Sequence, residues 1–247
     1  MRRTTIAAAA FVLVSASSGA TGLDDLRAAV EKLRAHEPLR VRLTQENTGA
    51  YEDEGQKRTR QAKASVVAED GGVGQPLRLV YDDTVLSLAA REQAGRRDSR
   101  GPGDAVRDLD AIRVLDLLRP ADKLHDDLVG TRLVSESADR APGRSGRVLE
   151  LVMRAPRGLD REKGFKVTRT ARFWVDANGV PLSSEIRVIT EVRRFIFKVR
   201  FDTTEKNEYV VASRRLLTKR RETVNHWKAW IIAEGENHST TTIEVVE

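Results

Sequence analysis

Residues 173–182, Phe173-Trp174-Val175-Asp176-Ala177-Asn178-Gly179-Val180-Pro181-Leu182, decide how the chain is read. Apolar and aromatic residues run up to Asp176, and Asp176 and Asn178 are short polar side chains that bond back onto a turn. Gly179 supplies a positive φ, and Pro181 fixes the backbone where a second strand begins. The segment is therefore strand, turn, strand. Working outward, a period of two marks strands at 132–137, 147–154, 168–177, 184–192, 195–203, 209–223 and 240–246. The Pro/Gly-rich stretch 141–146 turns the chain between the first two of these.

The N-terminal half adds helices. From 23 to 35, Leu23, Leu26, Val30 and Leu33 recur at spacings of three and four, Asp24 and Asp25 sit in the first turn, and Pro38 follows. Alternation at 39–44 and 62–68 predicts two strands joined by a long hairpin over the polar span 47–60; residues 77–81 form another strand, with a further apolar segment at 85–90. Residues 94–103 read as a flexible loop. A helix starts near Gly103 with Val106, Leu109, Ile112, Leu115 and Leu118, ends at Pro120, and continues briefly over 121–128. Sequential strands without strand–helix–strand alternation predict an α+β fold, mostly antiparallel β. A sheet of about ten strands has to curl, giving a strongly curved sheet or unclosed β-barrel with two or three helices on its concave face.

Composition narrows the chemistry. The 247 residues contain no cysteine, which excludes disulfides, thiol nucleophiles, thiolate metal sites and an acylated cysteine anchor. Residues 1–22 have the pattern of a signal peptide: Arg2 and Arg3, nine apolar residues from Ile6 to Val14, then small residues ending at Ala20. Nine residues are too few to span a bilayer core that takes about 20. Cleavage after Ala20 is the first choice, with Ala16 and Gly22 as alternatives, and 23–247 is read as one domain. Without residues 1–22 the net charge falls from +6 to +4. Export predicts a periplasmic or secreted protein with no membrane-spanning segment, although peripheral membrane contact stays open.

The segment 173–182 resembles the aromatic-Trp-aliphatic-Asp-x-x-Gly-x-Pro-Leu hairpin of the outer-membrane lipoprotein carriers, the LolA/LolB-like, lipoprotein-sorting superfamily. The order of signal peptide, amphipathic helix, meandering sheet, mid-chain helix and late strands is similar too. The resemblance implies an unclosed barrel whose apolar lumen, lidded by helices, accepts acyl chains. Those carriers have a basic residue and Pro leading into an early aromatic-rich strand; residues 75–81 keep Pro76 but place Gln75 before it, and Arg78 is displaced.

Candidate cavity residues are Leu79, Tyr81, Leu109, Ile112, Phe173, Val175, Ile186, Val188, Phe195, Phe197, Phe201, Trp227 and Trp230. The same alternating ladders also make ordinary core. Trp227 and Trp230, beside Ile231 and Ile232, read as a loop folded on the sheet edge, a flap at a cavity mouth or a membrane contact. Arg78, Arg214 and Arg215 are candidates for a headgroup or protein partner; the late basic stripe to which Arg214 and Arg215 belong is diluted by acids, as in a solvated, ion-paired face. His36, His125, His226 and His238 are scattered without metal-ligand spacing, and no nucleophile elbow or phosphate loop is present. The expectation is a non-enzymatic monomer without cofactor or metal, carrying a lipid or acylated protein and not nucleic acid. An envelope interaction or sensor protein using the same scaffold is the alternative.

Overall fold

The computed structural model describes residues 21–34, 37–53, 56–72, 74–94, 102–139, 146–155, 164–194, 197–229 and 233–246. Residues 1–20 of the leader read at 1–22, most of the loop at 94–103, residues 141–145 of the turn read at 141–146, Phe195 and Trp230 lie outside them. Ten strands are present: β1 (Leu39–Asp53), β2 (Gln56–Asp70), β3 (Leu77–Tyr81), β4 (Arg132–Ala138), β5 (Gly146–Met153), β6 (Phe165–Asp176), β7 (Pro181–Arg194), β8 (Phe197–Ala212), β9 (Arg215–Ala229) and β10 (Ala233–Val245). The described residues also form five helices: α1 (Gly22–Lys32) before β1, and α2 (Asp83–Ala94), α3 (Pro102–Asp108), α4 (Ala111–Leu118) and α5 (Pro120–Leu128) between β3 and β4. The fold is α+β and mostly β.

All ten strands form one antiparallel sheet in the order β3-β2-β1-β10-β9-β8-β7-β6-β5-β4. It is open, with β3 and β4 at its edges. Strands β4 to β10 are a meander, and β10 then pairs with β1 in the register Leu43↔Ile243 and Gln45↔Thr241. Since β3 and β4 are consecutive strands at opposite edges, α2 to α5 must carry the chain from one edge to the other. They do so on one face, where two apolar clusters form. One joins Leu23, Leu26 and Val30 of α1 and Leu124 of α5 to Leu149, Phe173, Val175 and Leu216. The other joins Leu109, Val114 and Leu118 to Val41, Leu43, Val66 and Leu217. Adjacent β9 residues thus serve both.

Local chemistry sets the boundaries. Thr21 and Asp24 close a capping box at α1, so the helix begins at Gly22. In the 173–182 hairpin Asp176 accepts the N–H groups of Asn178 and Val180, each at 2.8 Å. Gly179 has φ 82°, and a Cβ there would lie 2.5 Å from the backbone of Asp25, so the turn also needs glycine to seat α1.

Expectations for the helices and for one strand are corrected. The described residues form five helices, not two or three, because Asp110 turns extended and caps α4, splitting the helix expected over 103–118, and because 85–90 lies within α2. The long hairpin over 47–60 is present, with β1 and β2 pairing continuously from Leu39↔Asp70 to Asp53↔Gln56. Residues 209–223 are not one strand, since Ser213 and Arg214 reverse the chain between β8 and β9. Both have positive φ, 48° and 53°, as a two-residue type I′ turn demands.

A buried ion cluster locks the crossover to the sheet. Asp70, fully buried at the end of β2, accepts from Arg119 Nη2 at 2.5 Å and from Arg215 Nη2 at 2.8 Å. Arg119 sits between α4 and α5 and also donates to the Gly72 carbonyl, while Arg215 opens β9, is 1% exposed and donates to the Glu37 carbonyl. Burial works to raise the Asp70 pKa, but the hydrogen bonds from Arg119, Gly72 N–H and Arg215 outweigh it and hold the carboxyl below its usual range.

Two outcomes follow. Asp70→Asn leaves the buried Arg215 and the partly buried Arg119 guanidiniums without their anion and lowers unfolding free energy by about 3–5 kcal/mol in urea titrations at pH 7. Because the folded carboxyl titrates below the unfolded one, this contribution is complete above about pH 4 and is lost as pH falls further, so wild type and variant converge in acid. The double variant Ser213→Asn, Arg214→Gly relieves left-handed strain and raises stability by about 1–2 kcal/mol, read from the thermal midpoint.

Candidate ligand-binding face

Strand register lays out the helix-facing side of the sheet row by row. Beside the apolar clusters runs a polar belt, Ser184-Asn207-Arg221-Thr241-Gln45, each residue directly opposite the next on the neighbouring strand. Its members bond sideways: Asn207 Nδ2 donates to Ser184 Oγ at 3.3 Å, Arg221 Nε donates to Asn207 Oδ1 at 2.8 Å, and the Thr241 hydroxyl donates to Gln45 Oε1. Tyr209 shares a hydrogen bond of 2.9 Å with Ser184, and burial pushes its phenol pKa far up, so it stays neutral. Glu205 meets Asn207 Nδ2 at 2.9 Å and Arg221 at 3.5 Å; burial opposes its charge, but Arg221 and Lys123 outweigh burial and keep the carboxyl below its usual pKa. Arg169 of β6 grips Asp127 of α5 with two bonds of 2.7 and 2.6 Å. A buried polar network costs little only when its members are paired, and this one joins α5 to the sheet.

Farther along the same face the character changes. Val167-Thr190-Phe201-Trp227-Gly235 form one row across β6 to β10, and Phe165-Val192-Val199-Ala229 form the next across β6 to β9. These side chains are reached by water: Phe201 is 38% exposed and Trp227 half-buried. Trp227 lies over Gly235, where a Cβ would come within 2.7 Å of its indole nitrogen. The result is a contiguous apolar band on a face whose other end is packed by helices.

The residues singled out from sequence divide accordingly. Phe173, Val175, Ile186 and Leu109 are buried in the two clusters, with Val188, Leu79 and Tyr81 packed against them; the Tyr81 hydroxyl donates to the Leu109 carbonyl at 2.7 Å. Ile112 is 77% exposed and lines no cavity, because the apolar stripe of α4 passes through Val114, Leu117 and Leu118 instead. Phe201 and Trp227 are opposite each other on the band, and Trp227 belongs to β9, not to a loop. Phe197 is in β8. Arg215 cannot present itself to a headgroup or partner, being consumed by Asp70. Arg214 is 85% exposed at the hairpin tip with Glu37 at 2.8 Å, and Arg78 is exposed 3.6 Å from Glu69. Within the late basic stripe, Lys198 and Arg200 are both paired with Glu191 on the opposite face. The polar belt was missed, since an inward Ser, Asn or Gln in a strand looks like a solvated one until its neighbours are known.

No known protein family and no curated protein matches the chain by sequence. Two crystal structures show weak similarity. One is a DUF1329 family protein from Desulfovibrio piger, 9% identical, with 90% of each chain covered and a TM-score of 0.28. The other is MucB in complex with MucA(peri), 11% identical, covering 90% of this chain and 93% of that one with a TM-score of 0.18. Similarity at this level carries no argument for ligand or mechanism.

The contact between Trp227 and Gly235 is directly testable. Gly235→Ala drives a methyl into the indole, shifting the near-ultraviolet circular dichroism and tryptophan emission and costing about 1–3 kcal/mol in thermal unfolding.

Proposed function

We propose that the protein is an exported, non-enzymatic carrier or binding protein for a hydrophobic ligand, the acyl chains of a lipid or of an acylated protein. The observation that carries this reading is the two-row apolar band centred on Phe201 and Trp227, half open to water on a face otherwise packed by helices. In this reading the sheet curls toward the helices as an unclosed barrel, and the chain lies across β6 to β9. Those four strands, spaced about 4.8 Å apart, make a band roughly 14 Å wide. Each methylene buried there contributes about 0.8 kcal/mol, so eight supply about 6 kcal/mol before the cost of association. No specific polar motif is required, and the absence of cysteine fits a protein that holds another molecule's acyl chain. The signal-peptide pattern supports a role in the periplasm or outside the cell.

Titration of the purified mature protein with cis-parinaric acid tests the reading. Saturable binding is expected, and Phe201→Asp weakens it about tenfold or more while the thermal midpoint is unchanged, Phe201 being on an open row. Absence of binding, or binding that Phe201→Asp leaves intact, overturns the assignment.

A further inference from the structure

Between the belt and the band lies a second feature that acyl binding does not use. A groove of about 490 Å³ opens where α3 and α4 face β1, β9 and β10. Its sheet floor is built from neutral hydrogen-bonding side chains in adjoining rows: Asn47, Ser239 and Thr223 in one, Asn225 and Asn237 in the next. Its helix wall carries Arg107, Asp108 and Arg113.

The polar atoms are held in place. Gln45 Nε2 donates to Asn47 Oδ1 at 2.6 Å, Asn47 Nδ2 donates to Asp108 Oδ2 at 2.7 Å, and Arg113 pairs with Asp108. Gln45 is itself fixed by the Thr241 hydroxyl. On the neighbouring row the Thr203 hydroxyl donates to Asn225 Oδ1 at 3.2 Å, so Asn225 keeps its two amide hydrogens as donors. Asp108 and Arg113 pair with each other and Arg107 is itself engaged, so the wall leaves no free charge to hold an ion. Amides and hydroxyls both donate and accept, and so do the hydroxyls of a sugar. Trp227 is the next residue on the same face of β9 after Asn225, about 7 Å along the strand, and offers an aromatic surface beside the amide row.

We infer that this groove is a binding site for a neutral saccharide, with Asn225 and Ser239 hydrogen-bonding its hydroxyls, Asp108 and Arg113 closing over one side and Trp227 bordering its apolar face. The site borders the acyl band at Trp227 but its amide and hydroxyl rows are separate from that band, and its probe is different.

The full mature protein is applied to an immobilised array of microbial oligosaccharides, and each sugar bound is retested free in solution by calorimetry. Binding of at least one neutral oligosaccharide is expected, weakened about tenfold by Asn225→Leu and measurably by Ser239→Ala, with cis-parinaric acid binding unchanged. If Asn225→Leu does not fold, Ser239→Ala together with Asn225→Gln decides the matter by the same readout. An array without any neutral sugar bound overturns the inference, as does binding that is confined to anionic sugars or is indifferent to the variants.

Discussion

One buried carboxylate organises the molecule. Asp70 ends β2, yet the two guanidiniums that satisfy it come from the helical crossover and from the start of β9, so a single anion ties together parts of the chain that are far apart in sequence. The crossover needs such a tie. Helices α2 to α5 run from one sheet edge to the other, and apolar packing alone is non-directional. The two arginines and one aspartate give it a fixed seat, at the cost of burying charge that only mutual pairing offsets.

The helix-facing surface is therefore graded. Near the clamp it is apolar and filled by Leu, Val and Phe from both layers. Across its middle the belt from Ser184 to Gln45 replaces dispersion with hydrogen bonds, and this fixes the register of the central strands. A slip of one residue would turn Glu46, Glu208, Arg220 and other exposed residues inward and leave the belt unpaired. Beyond the belt come the amide and hydroxyl rows walled by α3 and α4, and past these the apolar rows meet water. Structure and candidate site thus share one sheet, and they are separated by a polar boundary that ties α5 down through Arg169 and Asp127.

Local chemistry was legible in the sequence; long-range consequences were not. The hairpin at 173–182 could be read because Asp176 and Gly179 act within a few residues of themselves. The reversal at Ser213-Arg214 could not, since nothing in Ser-Arg signals a left-handed pair; its geometry is imposed by the strands on either side. Ile112 obeys the helical period but lies on the exposed side once Asp110 restarts the helix. Arg215 counted as one of several late cations, whereas burial beside Asp70 sets it apart. Phe201 and Trp227 were recognisable as site candidates by residue type. That they face each other, and that an amide row adjoins them, depends on a register that only the folded sheet defines.

The pairing of β1 with β10 carries a temporal consequence. These strands lie near the two ends of the chain, and their ladder unites the three-stranded and seven-stranded parts of the sheet. During synthesis β1 and its hairpin partner β2 exist long before β10 emerges, and closing so large a loop is entropically slow. Until then the far side of β1 is a bare edge, with unpaired N–H and C=O groups able to capture any other strand. Its threonines and charged residues, Arg42, Glu46 and Thr48 among them, make that edge a poor template for another chain while it waits.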